Sequence, residues 1–196
     1  MRRPRIVFDR ISLLVPLMLV LEGKFSYTAS LLLAAVLHEC GHLLAAHLMN
    51  IPIRSLRVSM LGAQLTLEDS LLSYEREWIL CAAGPLFSLL GAGGGGVLAA
   101  LCRSERNSNF AMISLALALV NLLPVGWLDG GRMFRAACRR YLSPKIADRS
   151  LRAVSFLFFL LLWMTSVYLL LRAGNSLSLF TFSLSLFVRF FLSDNP

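Results

Sequence analysis

Charge is scarce in this 196-residue chain, in which Asp, Glu, Lys and Arg together make up only 15% of the residues. An ordinary soluble domain is about 25% charged, and a soluble protein with so few charges could not cover its surface with polar groups. Hydrophobic residues instead reach 57%. The length suggests one domain, residues 1–196, and the composition predicts that this domain is integral to a lipid bilayer.

Two other signals are missing. The four cysteines form no C-x-x-C pair, and we interpret them as small residues of membrane helices; they are Cys40, Cys81, Cys102 and Cys138. A cleavable signal peptide is not expected either, because no good small-residue cleavage site follows the basic amino end before Glu22. The first apolar run is therefore predicted to be a retained helix.

The net charge of +8 does not indicate nucleic-acid binding. The basic residues lie between apolar runs, which is the pattern of loops held on one side of a membrane. With the amino terminus in the cytoplasm, fifteen of the nineteen Lys and Arg residues fall on the cytoplasmic side. This asymmetry predicts a multi-pass protein of the cell membrane, with both termini in the cytoplasm and an even number of crossings.

Six apolar runs predict six transmembrane helices, since a crossing needs about 20 apolar residues. The runs are Ile6–Leu21, Phe25–Met49, Trp78–Leu101, Phe110–Leu128, Val154–Leu171 and Leu177–Leu192. Between the second and third runs, residues 51–67 place Gly62 between two β-prone pieces. This pattern predicts a short hairpin near the cytoplasmic surface, with a plain connecting loop as the alternative. The predicted fold class is an all-α integral membrane protein with about six transmembrane helices and a short interfacial β-hairpin.

The second apolar run contains the motif H-E-x-x-H, as His38-Glu39-Cys40-Gly41-His42. Histidines four residues apart lie on one face of a helix, so both rings can reach one metal ion. Zinc favours imidazole nitrogen and keeps a position open for water in catalytic sites. The glutamate beside the first ligand is then placed to take a proton from that water. An ionisable cluster inside a transmembrane helix is costly, which favours function over packing alone.

A third ligand must come from elsewhere in the chain. His47 is about 140° around the helix from His42 and close to the helix end, so we interpret it as a polar residue of the membrane interface. Asp129 is the better candidate, because Pro124 and the Gly130-Gly131 pair predict an interrupted helix beside it. Taken alone, Asp129 could equally cap a helix or pair with Arg132.

These residues resemble the site-2 protease family of intramembrane zinc metalloproteases. The match consists of H-E-C-G-H at 38–42, Ala83-Gly84-Pro85, and the motif N-x-x-P-x-x-x-x-D-G at 121–130, in the family order. It covers residues 25–135, the family's three-helix core, and leaves residues 150–196 as two carboxyl-terminal helices. Six helices without a PDZ domain most resemble the stage IV sporulation protein FB branch.

The resemblance implies that His38, His42 and Asp129 are ligands of one zinc ion and that Glu39 is the catalytic base. It also implies that Asn121 is a polar helper near the substrate or the oxyanion. It implies a zinc metalloendopeptidase of regulated intramembrane proteolysis, with a membrane-tethered protein, such as a sporulation transcription-factor precursor, as its substrate. A membrane inhibitor protein is a further implied partner. The sequence departs from the family pattern at Ser88, where an asparagine is common, and at Trp127, where a proline is common.

Two other classes of function deserve comparison with a protease. A membrane metal transporter could use the cluster as a transit site, but the sequence has no second H-E-x-x-H and no second D-G-G that would mark matching halves. A non-catalytic scaffold could bind substrates without cutting them. The presence of Glu39 and of all three candidate ligands argues against a scaffold.

Overall fold

The structure is a computed structural model that describes residues 5–8, 25–51, 53–59, 62–67, 73–173, 183–184 and 187. Its helices are α1 (Phe25–Leu48), α2 (Tyr74–Cys102), α3 (Glu105–Asn121), α4 (Asp129–Tyr141) and α5 (Pro144–Ala173). Its strands are β1 (Arg5–Phe8), β2 (Ile53–Ser59) and β3 (Gly62–Leu67).

Three helices in the described part of the chain are long and apolar enough to cross a membrane, namely α1, α2 and α5. They correspond to the second, third and fifth apolar runs of the sequence, whose helical structure is thereby confirmed. The fourth run is helical only as far as Asn121, where α3 ends after 17 residues. The sixth run lies outside the described residues except for 183–184 and 187, so six crossings stay a prediction.

The first apolar run begins differently from the prediction. We predicted a helix from Ile6, whereas residues 5–8 form β1, which pairs in parallel with β2 so that Ile6 is opposite Leu56. The β-branched side chains of Ile6 and Val7 suit a strand, and the neighbouring strand supplies the backbone hydrogen bonds that a helix would have made internally. The rest of this run, residues 9–24, lies outside the described residues.

The strands form one sheet in the order β1-β2-β3. Strands β2 and β3 pair antiparallel, with Leu56 opposite Leu65 and Ser59 opposite Gly62, and the register shifts between Ile53 and Ser55. This strand pair lies within the stretch 51–67 in which the sequence predicts a hairpin. The parallel addition of β1 had no signal in the sequence, because the two segments are about fifty residues apart.

Helix α2 is the centre of the bundle and packs against α1, α3 and α4. Small residues make these contacts close. A side chain at Gly41 would overlap the carbonyl oxygen of Ala83, and one at Gly95 would lie 2.8 Å from Phe110. In lipid there is no hydrophobic driving force between helices, so the close packing of their backbones stabilises their association instead.

Large apolar side chains cover the outside of the bundle. Exposed positions on α1, α2 and α5 include Leu33, Val36, Leu90, Val97, Leu157 and Leu161. A helix that is apolar on its outer surface suits lipid rather than water. The arrangement agrees with the composition, which predicts a bilayer as the solvent of this protein.

The segment between α3 and α4 is a tight irregular turn. Side chains at Gly130 and Gly131 would overlap the backbone carbonyls of Leu122 and Val125, so the start of α4 lies directly against the preceding turn. Val125 is 1% exposed and packs with Phe159 of α5. The predicted interruption of the helix before Asp129 is therefore present.

Ion pairs attach α4 to its neighbours. Arg140 Nη1 lies 3.0 Å from Glu75 Oε1 at the start of α2, and Arg139 Nη2 lies 3.0 Å from Asp148 Oδ1 of α5. Such half-exposed pairs contribute little energy each. Together they join the helix that begins at Asp129 to the helices on both sides of it.

Candidate metal centre

Two histidines of α1 lie on the face that packs against α2. His38 and His42 are one helical turn apart, with ring centroids 4.9 Å from each other. The two residues are only 4% and 5% exposed. Their Nε2 atoms lie 3.3 Å apart and point to a common position.

Asp129 completes this group from the first turn of α4. Its Oδ2 atom lies 3.1 Å from His38 Nε2 and 3.1 Å from His42 Nε2. These atoms are the one group of three or more potential ligands found among the described residues. Asp129 therefore meets two residues that precede it by about ninety positions in the sequence.

The three separations fit a zinc ion. Tetrahedral zinc with nitrogen and oxygen ligands at about 2.0–2.1 Å holds any two ligand atoms about 3.3 Å apart. The observed separations of 3.1, 3.1 and 3.3 Å match three edges of such a tetrahedron. Two imidazoles and one carboxylate also form a typical catalytic zinc set, which leaves the fourth corner open.

Helix α2 holds the far side of both rings. The Nδ1 atom of His42 donates a hydrogen bond to the carbonyl oxygen of Leu80 over 2.8 Å. A carbonyl can only accept, so this bond places the ring proton on Nδ1 and leaves the lone pair of Nε2 directed at the ligand cluster. His38 Nδ1 lies 2.9 Å from Ser88 Oγ.

Gly84 lies between these two contacts on α2. A side-chain carbon at this position would overlap His42 Nε2 and would lie 2.8 Å from His38 Nε2. The metal-facing edges of the rings therefore lie against bare backbone. Leu80, Gly84 and Ser88 recur every four residues, so one face of α2 forms a wall of the cluster.

The charge of the cluster suits a cation. Burial by itself would raise the pKa of Asp129, but the two imidazoles beside it outweigh burial and lower the pKa from 3.8 to about 2. The carboxyl group is therefore ionised at neutral pH. An anionic oxygen beside two imidazole nitrogens is a donor set that zinc prefers.

The other predicted residues have different surroundings. Glu39 follows His38 on α1 and is half-buried, while His47 is exposed in the last turn of the helix. Asn121 is 8% exposed, and its Nδ2 atom donates to Leu117 O within α3 over 2.9 Å rather than to the cluster. Arg132 pairs with Glu77 over 4.0 Å, so it does not take the place of the histidines beside Asp129.

Sequence reasoning missed two partners of the histidines. Leu80 contributes a backbone carbonyl, for which the identity of the side chain gives no signal. Ser88 entered only as a departure from a family pattern, although a polar residue four positions after Gly84 on an apolar helix is a signal that could have found it.

Comparisons with known proteins agree with this architecture. The model of Peptidase family M50 matches residues 106–165, a segment that includes Asn121 and Asp129 and begins after both histidines. Among solved structures, the chain is similar to the Site-2 Protease from Methanocaldococcus jannaschii, with a TM-score of 0.66 and 20% sequence identity over 100% of this chain and 94% of that chain. No curated protein matches the sequence. The structural likeness extends over the whole fold and not only over the segment that contains Asp129.

Proposed function

We propose that this chain is an intramembrane zinc metalloendopeptidase that hydrolyses peptide bonds of membrane-associated proteins. The observation that carries the proposal is the triangle of His38 Nε2, His42 Nε2 and Asp129 Oδ2, with sides of 3.1 to 3.3 Å. The match to Peptidase family M50 and the likeness to a site-2 protease support the same conclusion.

His38, His42 and Asp129 would hold one zinc ion per chain. Zinc supplies a Lewis acid that polarises a carbonyl oxygen and makes water a stronger acid. The residues of the chain orient the donors, since α1 fixes the spacing of the imidazoles and α4 brings the carboxylate to them. The buried position of the cluster also limits the access of bulk water, which strengthens electrostatic interactions in the site.

Glu39 is the proposed general base. It is the side chain next to His38, half-buried on the same helix, and the only carboxylate within the membrane-spanning part of α1. Its carboxylate would take a proton from the attacking water and deliver it to the nitrogen of the leaving amine. Asn121 is the proposed substrate helper, because one N–H of its amide bonds to Leu117 O and an amide nitrogen has a second N–H to offer.

The proposed location is the cell membrane, with several crossings and both termini in the cytoplasm. Residues 25–135 form the proposed catalytic core, and residues 150–196 are proposed to form two carboxyl-terminal helices. A substrate helix would have to unwind near the cluster, since a helical peptide bond is shielded by its own hydrogen bonds. The strand pair within 51–67 is a candidate for pairing with the extended segment.

The proposed substrate class is a membrane-tethered protein in regulated intramembrane proteolysis. The narrower assignments rest on the sequence resemblance alone: the sporulation protein FB branch, a transcription-factor precursor as substrate, and a membrane inhibitor protein as regulator. They stay predictions. Expression of the chain with a panel of membrane-anchored reporter proteins would identify the segments that it cuts.

The deciding experiment compares wild type with Glu39→Gln, co-expressed with a cleaved reporter and purified in detergent. We expect the variant and wild type each to bind about one zinc per chain, and we expect the variant alone to lose cleavage. Glu105→Gln is the matched control, because Glu105 is exposed at the start of α3, and it should keep both properties. A Glu39→Gln variant that cleaves like wild type would refute the mechanism.

The cleavage assay, together with a zinc-flux assay in vesicles, separates the proposal from the two alternatives. A scaffold would bind zinc and the reporter but would give no cleavage in wild type. A transporter would give zinc flux into vesicles that depends on His38, with no cleavage of any reporter. Neither alternative explains why a carboxylate directly follows the first ligand on the helix.

A further inference from the structure

Ser88 is a buried polar residue for which the proposed mechanism has no role. It lies in the middle of α2, on an apolar stretch that is long enough to cross a membrane, and it is 1% exposed. A hydroxyl in such a place is stabilised by a hydrogen-bond partner, because burial without one costs free energy. Its partner is His38 Nδ1, 2.9 Å from Ser88 Oγ.

The two imidazoles are held in unequal ways. His42 Nδ1 donates to the backbone carbonyl of Leu80, which no substitution of a side chain removes. His38 Nδ1 faces the hydroxyl of Ser88, which a single substitution can remove. The orientation and the tautomer of His38 therefore depend on one side chain, whereas those of His42 depend on the fold.

We propose that Ser88 is a positioning residue of the metal centre, whose hydroxyl oxygen accepts a hydrogen bond from the Nδ1–H group of His38 and thereby directs the Nε2 lone pair to the cation. The inference rests on the proposed function, since it assumes that His38 binds a metal. A ligating histidine gains basicity and a fixed ring plane when its second nitrogen donates to an oxygen. The hydroxyl oxygen of serine can accept such a bond.

The plain alternative is that Ser88 is a small residue that lets helices pack closely. The chain contains a matched example of that role. Ser114 of α3 is 0% exposed, lies in the same bundle, and its Oγ has no hydrogen-bond partner within the described part of the chain. Ser114 thus shares the residue type and burial of Ser88 but makes no hydrogen bond to a histidine ring.

The test measures zinc affinity by chelator competition in detergent for wild type, Ser88→Ala, Ser88→Thr and Ser114→Ala. Loss of an outer partner of a ligand typically weakens metal binding by about 10- to 100-fold, and we expect this loss for Ser88→Ala. Ser114→Ala should bind like wild type. Ser88→Thr keeps a hydroxyl acceptor and should stay within about threefold of wild type.

A second readout separates positioning from stability. Cobalt substituted for zinc has a visible spectrum that depends on ligand geometry, and we expect Ser88→Ala to change this spectrum while Ser114→Ala leaves it unchanged. Thermal unfolding of the metal-free proteins shows whether Ser88→Ala stays folded, and Ser114→Ala should unfold like wild type because its hydroxyl has no hydrogen-bond partner to lose among the described residues. If Ser88→Ala does not fold, the Ser88→Thr variant tests the proposal instead. Because this variant keeps a hydroxyl, it must keep the zinc affinity of wild type, and a loss of affinity would overturn the proposal.

The outcomes distinguish this inference from the proposed function. Wild type that binds zinc, with Ser88→Ala equal to it in affinity and in cobalt spectrum, would overturn the role of Ser88 and leave the metal centre intact. Equal losses in Ser88→Ala and Ser114→Ala would also overturn it, as a packing effect. Wild type without zinc would overturn both proposals.

Discussion

Gly84 of α2 lies directly against the ring of His42 of α1, so that a side chain on Gly84 would overlap Nε2. The glycine is needed for space rather than for backbone freedom, because it is in the interior of a regular helix. The absence of one carbon atom therefore lets two helices meet at the point where the proposed zinc ligands converge.

Substitution of Gly84 by alanine should abolish zinc binding. The new methyl group must displace the His42 ring, and its Nε2 atom would no longer face His38 and Asp129. Zinc per chain after purification measures the effect. The matched control is Gly93→Ala on the same helix, where an added carbon meets nothing within 4 Å. The control should bind zinc normally, and a loss there as well would mean that α2 tolerates no added side chain.

Removal of the Asp129 carboxylate should weaken zinc binding by at least about 100-fold, since even losses outside the direct ligands cost about 10- to 100-fold. The comparison is Asp129→Ala against Asp148→Ala, which removes a carboxylate that pairs with Arg139. Chelator competition gives both affinities. Zinc bound equally by Asp129→Ala and wild type would show that the third ligand is another residue, and the site would have to be rebuilt.

The histidines provide a third comparison on a single helix. His42→Ala should lose zinc, because it removes one of the three ligand atoms, whereas His47→Ala should keep it, because His47 is exposed at the end of α1. Zinc stoichiometry of the purified variants checks this expectation. Zinc lost from His47→Ala would contradict the assignment of His47 to the membrane interface.

The turn before α4 should tolerate no side chain at Gly131. An added carbon would overlap the Val125 carbonyl, and overpacking of this kind typically costs about 1–3 kcal/mol. We expect Gly131→Ala to lower the thermal unfolding temperature. Gly126→Ala in the same turn, where an added carbon meets nothing within 4 Å, should unfold like wild type. Equal stability of the two variants would show that the turn can relax.

The local part of the site was predictable because it depends on one helix. A spacing of four residues puts His38 and His42 on one face wherever the helix lies, and the apolar run around them predicts that helix. Pro124 and the glycines after Asp129 likewise predict a broken helix from backbone chemistry alone. These rules operate over fewer than ten residues, so the sequence contains all the information that they need.

The sheet includes a pairing that these local rules do not predict. The stretch 51–67 has the signs of a strand pair, and β2 and β3 pair there. Residues 5–8 have the composition of both a strand and the start of an apolar helix. Pairing with β2 decides between them, and that pairing depends on how distant segments meet.

The sequence by itself determined the membrane class, the helices predicted over residues 25–49 and 78–101, and the ligand types that two motifs could offer. The tertiary structure decided which atoms meet: Asp129 Oδ2 with both histidines, Leu80 O with His42, and Ser88 Oγ with His38. The physical reason is the separation along the sequence over which each interaction acts. Helical periodicity sets which residues share a face, whereas contacts across 38 to 91 positions depend on how the helices pack.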